Sequence, residues 1–224
     1  MKIHKGYILA GLTILVIAGA AIFGMSKRGS YTDIQSDPAG MNSLQVAELP
    51  EALTENIEDI VSILEECPVI LQVKVLSERD YLFYSAAQDV VIEKIYTGDG
   101  KLEVNQEIKL TSGKWLLSVN IEPASLECGY VNVMQPGKSY LVFLSGSIES
   151  MDKNEIVYSL YDELVIAPVF ALESHENKAI SVSGDTTYVS YLEVKDNEFF
   201  SDSQKGMENL EAIKEKLFEK YRGM

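Results

Sequence analysis

The chain of 224 residues has few of the side chains on which metal and catalytic sites most often depend. It contains two cysteines and two histidines, and His4 lies in the first ten residues, which leaves His175 in the body of the chain. Zinc sites favour closely spaced cysteine and histidine ligands, whereas Cys67, Cys128 and His175 lie far apart in the sequence. We therefore predict no metal site, no catalytic residue and no cofactor, and we expect His175 to be an exposed loop residue.

The two cysteines leave two alternatives open. An oxidising compartment would permit one disulfide bond between Cys67 and Cys128. Such a bond needs Cα atoms within about 4.4–6.8 Å of each other, and the sequence does not place them. Two unpaired, buried thiols are the other alternative.

Basic residues are also scarce, with 19 lysines and arginines against 34 aspartates and glutamates. Four of the bases lie in the first thirty residues, which contain no acid, so the rest of the chain carries 15 basic and 34 acidic side chains. A surface this acidic repels phosphate backbones and anionic lipid headgroups. We predict that nucleic acid is not a partner.

Residues 6–26 contain no charged side chain. A helix of this length, rising about 1.5 Å per residue, would span the roughly 30 Å hydrocarbon core of a bilayer. The run is longer than the apolar core of about 7–15 residues in a signal peptide, which favours an uncleaved, single-pass transmembrane signal-anchor. Residues 1–5 would then be a short basic cytoplasmic tail, and the remainder would lie outside the cytoplasm. Cleavage after the small residues 18–20, giving a secreted protein, is the alternative.

Two amphipathic helices are predicted in the remainder of the chain. Residues 27–46 are mostly small or polar and predict a flexible tether, which is followed by a domain over residues 47–224. A helix over residues 50–66 would bury one apolar stripe: Leu53, Ile57, Ile60, Val61 and Leu64. A second helix over residues 203–222 would bury another: Met207, Leu210, Ile213, Leu217, Phe218 and Tyr221.

The segment between the helices has the pattern of short strands. We predict strands at residues 69–76, 90–96, 108–111, 130–134, 140–144, 156–161, 164–167, 169–172, 179–182 and 187–194. A turn at Pro136–Gly137 would pair residues 130–134 with 140–144 in a hairpin. Because residues 140–144 are consecutively apolar or aromatic, both faces of that strand should be covered. The pattern predicts a mainly β (α+β) fold, a small OB-like β-barrel flanked by the two helices.

Three stretches carry a resemblance to a known family: CPVILQVKV at residues 67–75, VVIEKIYTG at 90–98, and ECGYVNVMQPGKSYLVFLSG at 127–146. Over roughly residues 67–146 the chain resembles the netrin-like domain of tissue inhibitors of metalloproteinases, which implies an OB-type barrel with helices packed against it. Those inhibitors chelate the protease zinc through an amino-terminal cysteine. Here the corresponding end of the domain continues into a helix and a tether, and the Cys-x-Cys pair of the family is missing. The resemblance therefore implies the scaffold and not zinc chelation.

One aromatic segment has two interpretations. Trp115, Leu116 and Leu117 would form an exposed contact patch if their loop projects from the domain. Alternatively, Trp115 packs against the end of the barrel, which we favour because buried tryptophan is the commoner case.

From the sequence we expect a membrane-anchored, extracytoplasmic binding or interaction module that catalyses no reaction. Its partners would be the membrane, through the N-terminal helix, and a cell-envelope protein or polymer. A protease-inhibitor-like module acting through a surface loop is one alternative. A hydrolase with an acidic site built from Glu127, Asp162 and Glu163 is another.

Overall fold

The computed structural model describes residues 13, 16–22, 38–47, 50–82, 85–118, 124–150, 152–180 and 188–222. Residues Met1–Gly40 and Met41–Met224 form two separate units. The predicted tail, residues 27–37 of the predicted tether and most of the predicted signal-anchor over residues 6–26 lie outside the described residues. The rest of the predicted tether, residues 38–46, is not flexible coil: it forms a 3-10 helix and most of a short strand, and Met41, Leu44 and Val46 are buried. Residues 16–22 are helical. No described helix is both long enough and apolar enough to cross a bilayer.

From residue 38 onward, the described part of the chain contains eleven strands and three α-helices. The strands are β1 (Gln45–Ala47), β2 (Val69–Val75), β3 (Asp80–Leu82), β4 (Ser85–Thr97), β5 (Glu107–Ser112), β6 (Leu116–Ser118), β7 (Ser125–Glu127), β8 (Ser139–Ile148), β9 (Val157–Leu160), β10 (Val169–Ala171) and β11 (Tyr188–Ser190). The α-helices are α1 (Ile57–Glu65), α2 (Tyr191–Val194) and α3 (Gln204–Tyr221). Two 3-10 helices precede α1, at Pro38–Ser43 and Glu51–Thr54.

Five of the strands close into a barrel, so the fold is mainly β, as predicted. Strand β2 pairs antiparallel with both β4 and β8, and β4 continues antiparallel to β5. Strand β5 pairs in parallel with β9, and β9 returns antiparallel to β8, which completes the circuit. Strands β3 and β10 extend the sheet from β4 and β8. A second, four-stranded sheet has the order β11, β1, β7, β6.

Strand β8 is covered on both faces, which confirms the prediction from its apolar run. All of Tyr140–Leu144 are buried. Leu141 and Phe143 belong to a core cluster that also contains apolar residues of α1 and α3. Each fully buried aliphatic or aromatic side chain of this kind contributes about 1.5–3 kcal/mol relative to leaving it exposed. The two helices therefore pack against the barrel through β8.

The C-terminal helix agrees closely with its prediction, and the N-terminal one does not. The predicted apolar stripe of α3 is entirely buried, and the Ser203 hydroxyl caps the helix by accepting a hydrogen bond from the Gly206 N–H at 2.9 Å. The first helix begins at Ile57 instead of residue 50, because Asn56 has a non-helical backbone conformation. Leu53, which was predicted to be buried, is 51% exposed.

The predicted hairpin of residues 130–134 with 140–144 is wrong. Gly129 and Tyr130 both have positive φ, 53° and 64°, and two successive left-handed residues interrupt the extended backbone that a strand starting at residue 130 would need. Residues 130–134 make a single bridge, from Val131 to Phe199. The segment is nevertheless buried throughout, although it does not pair with β8.

Three further strand predictions also need correction. Residues 164–167 form no strand, because the Ala167 N–H bonds to the Gly129 carbonyl at 2.7 Å instead of to a ladder. Residues 179–180 form none either, and residues 181–182 lie outside the described part of the chain. The stretch predicted as a strand over residues 187–194 divides into β11 and α2.

Candidate functional site

A cleft of about 590 Å³ lies between α3 and the segment 172–177 that follows β10. We call it the α3 cleft. The segment forms one wall, and Glu198 and Phe199 form the buried floor. The residues of α3 that line the other wall are Glu211, Lys214, Glu215, Phe218 and Glu219, with Arg222 immediately after the helix.

The floor is fixed by a buried ion pair between Glu198 and Lys214. One carboxylate oxygen of Glu198 accepts the Ala171 N–H at 2.8 Å, and the other is bonded to the Lys214 ammonium. Lys214 also donates to the Glu173 carbonyl at 3.1 Å. Burial raises the pKa of Glu198, and the neighbouring Lys214 ammonium opposes that shift. The pair thus joins β10, α3 and the segment 172–177 at one point.

Aromatic rings and cations meet along the α3 wall. The Lys214 ammonium lies 5.3 Å from the centroid of the Phe218 ring and 6.0 Å from that of Phe199. The Arg222 guanidinium carbon lies 4.6 Å from the Phe218 centroid, and the same side chain donates to the Leu172 carbonyl at 2.6 Å. These distances are those of cation–π contacts. This part of the cleft therefore already accommodates positive charge over an apolar surface.

The segment 172–177 is held by its own side chains. The side-chain amide oxygen of Asn177 accepts the Glu198 N–H at 2.8 Å and the Phe199 N–H at 3.1 Å. Its amide group donates to the Glu211 carboxylate at 3.0 Å. At the outer edge, Glu173 pairs with Lys138 at 2.6 Å. Both walls are thus hydrogen-bonded in place.

His175 lies in a loop, as predicted, and is partly exposed where it lines the α3 cleft. Its Nδ1 lies 3.4 Å from the Asp196 carbonyl oxygen. A carbonyl can only accept, so this contact requires the proton on Nδ1. The positive form of the ring would favour the ionised states of Glu173 and Glu198, because His175 lowers the pKa of each.

Two lysines of α3 pair with α1, whereas three of its glutamates line the cleft. Lys216 and Lys220 point to α1, where they pair with Glu58 at 2.8 Å and Glu65 at 2.9 Å. The three glutamates lie at four-residue spacing: Glu211, Glu215 and Glu219. Like charges at this spacing destabilise an isolated helix by about 0.2–0.5 kcal/mol per pair. The row is therefore unfavourable for the helix by itself.

Both cysteines are buried free thiols, so the disulfide alternative is wrong. Burial raises the pKa of the Cys67 thiol to about 12, and it raises the pKa of Cys128 further still. Because the thiolate is the nucleophilic form, neither cysteine is activated for chemistry.

The contact-patch alternative is wrong for Trp115. Its side chain is 2% exposed, and its indole N–H donates to the Val131 carbonyl at 3.2 Å. The tryptophan therefore packs inside the domain, which was the favoured interpretation. Leu116 and Leu117 form part of β6, and their side chains lie outside the described part of the structure.

Two acids of the hydrolase alternative, Glu127 and Glu163, border different depressions on the surface. Glu127 lies beside Cys128 and Val165. Glu163 lies in another depression and accepts a hydrogen bond from the Tyr161 hydroxyl at 2.9 Å. Like these two acids, Asp162 is exposed. Within the described residues, no group of three or more histidine, cysteine, aspartate or glutamate side chains could hold a metal ion.

Lys214 and Glu198 were not identified from the sequence, although one sequence feature pointed to Lys214. Lys214 follows Ile213 directly and lies four residues from both Leu210 and Phe218, so it borders the apolar stripe of α3. A lysine in that position is half-buried by geometry and needs a partner. Nothing in the sequence identified Glu198 as that partner, because the two come together only through the fold. No protein-family model matches the chain, and no curated protein is significantly similar to it.

Proposed function

We propose that this chain is a membrane-anchored, extracytoplasmic binding module that catalyses no reaction, and that it binds its partner in the α3 cleft. The observation that carries the proposal is the preformed floor built around Glu198 and Lys214. A site whose walls are already hydrogen-bonded loses little conformational freedom when a ligand enters. Apolar clefts with a few fixed polar groups are the usual form of binding sites.

The ligand that fits this cleft is a cationic side chain of a peptide, such as arginine or lysine. Two of the acids are neutralised by their own partners, Glu198 by Lys214 and Glu173 by Lys138. The row of three glutamates on α3 then faces one guanidinium, that of Arg222. A long cationic side chain would place its charge over the Phe218 ring, where the row of glutamates attracts it.

The scaffold proposed for this function is an OB-type barrel related to the netrin-like domain. The strand order supports the assignment of an OB-type barrel. Counting along the barrel, the first strand pairs with the second and fourth, and the third pairs in parallel with the fifth. The position of Cys67, two residues before the start of β2, supports the relation to the netrin-like domain, since a cysteine precedes the first barrel strand in that family. Scaffold and function are separate proposals, because one fold carries many activities.

Peptide binding to the full-length chain in detergent tests the proposal. The probe is a labelled, capped tripeptide with arginine between two leucines, and its control carries citrulline, which is neutral, in place of arginine. We expect tighter binding of the arginine peptide. Replacing Glu215 and Glu219 together with glutamine should weaken its binding about threefold to tenfold, since each removes a partly screened attraction.

A matched pair of exposed acids elsewhere gives the control for charge. Glu103→Gln with Glu149→Gln makes the same change in net charge outside the cleft. Equal weakening by both double variants would assign the binding to overall charge. Equal affinity for the arginine and citrulline peptides would refute the cationic-ligand proposal.

The membrane topology has a test of its own. Protease added outside intact cells should degrade the unit Met41–Met224 and leave a short membrane-bound stub containing residues 6–26. Complete protection of the acidic unit in intact cells, with cleavage after lysis, would place it in the cytosol and refute the extracytoplasmic part.

A further inference from the structure

We infer that Arg222 is a built-in competitor for the α3 cleft, with its guanidinium in the position that a ligand's cation would take. The inference rests on the proposed function. Arg222 is exposed and directly follows α3. Its side chain contacts the Phe218 ring and donates to the Leu172 carbonyl, and both of these groups belong to walls of the cleft.

The comparison with the other cations at this end of α3 supports the inference. Lys216 and Lys220 each pair with a carboxylate of α1 and so tie the two helices together. Among the described residues, Arg222 pairs with no carboxylate, although Glu215 and Glu219 line the same cleft. A guanidinium has five N–H donors and a planar face; here its face contacts one ring, and one of its NH2 groups donates to one carbonyl. Those are contacts that an incoming arginine can make equally well.

A competitor within the chain has a definite effect on affinity. The apparent dissociation constant equals the intrinsic constant divided by the fraction of molecules in which the cleft is open. Removing the Arg222 guanidinium raises that fraction towards one, so ligand binding becomes tighter. If Arg222 only stabilises the wall, removing its guanidinium loosens the wall, and ligand binding weakens or stays the same.

The test measures the affinity of full-length Arg222→Gln for the same arginine tripeptide. We expect binding about threefold to tenfold tighter than for the wild type, as an open fraction of about a third to a tenth would give. Lys216→Gln is the matched control, since it removes one positive charge from the same helix on the side facing α1. Its effect should stay below about twofold, because an exposed pair is well screened.

Each outcome decides between the two proposals. If the wild type binds and Arg222→Gln binds equally or more weakly, Arg222 is structural and the competitor inference fails while the proposed function stands. If both variants tighten binding equally, the effect is one of overall charge and the inference also fails. If neither the wild type nor Arg222→Gln prefers arginine over citrulline, the proposed function fails, and the inference fails with it.

A second measurement does not depend on a variant. In the wild-type chain, the Nε–H resonance of Arg222 should move towards that of free arginine as the peptide is added, because the guanidinium is displaced. A resonance that stays unchanged while the cleft saturates would overturn the inference.

Discussion

The two sides of α3 differ in the kind of contacts that their residues make. The side facing the barrel is a continuous apolar stripe, and all of its members belong to one buried cluster with residues of β8, β10 and α1. The side facing the cleft has a buried ion pair, two aromatic rings at its lower edge and a row of glutamates above. Any apolar residue of suitable size satisfies the first side, whereas the second depends on particular partners elsewhere in the chain. The barrel side therefore holds the helix in place, and the cleft side carries the groups that a ligand could contact.

The largest expected effect is on the cleft side, at Lys214. Replacing Lys214 with methionine keeps the stem but leaves the Glu198 carboxylate without its counter-ion. Breaking a buried pair in this way costs about 3–5 kcal/mol, which chemical denaturation at neutral pH would measure. Lys216→Met is the matched control, because its partner Glu58 is exposed, and we expect little change there. A loss equal to that of the control would show that Glu198 reaches solvent.

The barrel side should respond to loss of volume. Leu210 is fully buried in the stripe, and Leu210→Ala should lower the free energy of unfolding by about 2–5 kcal/mol through lost burial and the cavity left behind. Leu192→Ala is the control, since that leucine is half exposed. The affinity of the folded Leu210→Ala variant for the arginine tripeptide should remain that of the wild type. A parallel loss of affinity would mean that the two sides of α3 are not independent.

The difference between the barrel side and the cleft side of α3 also explains which features could be predicted from the sequence. The apolar run 140–144 and the spacing of the α3 stripe are local patterns, and both gave the correct element and burial. The predicted hairpin failed because no periodicity reveals that Tyr130, a non-glycine residue, adopts positive φ after Gly129. The cleft could not be predicted at all. Its contacts join Leu172 with Arg222 and Asn177 with Glu198, residues that no local pattern relates.

The pH dependence of stability tests the electrostatics of the floor. Burial raises the pKa of Glu198 above its ordinary value of 4.5, so the folded chain takes up this proton more readily than the unfolded chain. The resulting stabilisation is complete below pH 4.5 and is lost as the pH rises through the folded pKa. Denaturation of the wild type and Glu198→Gln between pH 4 and 8 should therefore show the wild type losing stability relative to the variant as the pH rises. The opposite slope would mean that Lys214 outweighs the cost of burial.

The smallest expected effect is at the rim, where Glu173 pairs with Lys138. Both side chains are largely exposed, and the pKa of Glu173 lies below its ordinary value chiefly because Lys138 is hydrogen-bonded to it. Exposed pairs contribute little to stability because water and salt screen them and two long side chains must be ordered. Glu173→Gln should therefore leave the melting temperature unchanged within error, while its backbone carbonyl still accepts from Lys214. A clear drop would show that the pair fastens the segment 172–177, and that the cleft is held open from its rim as well as from its floor.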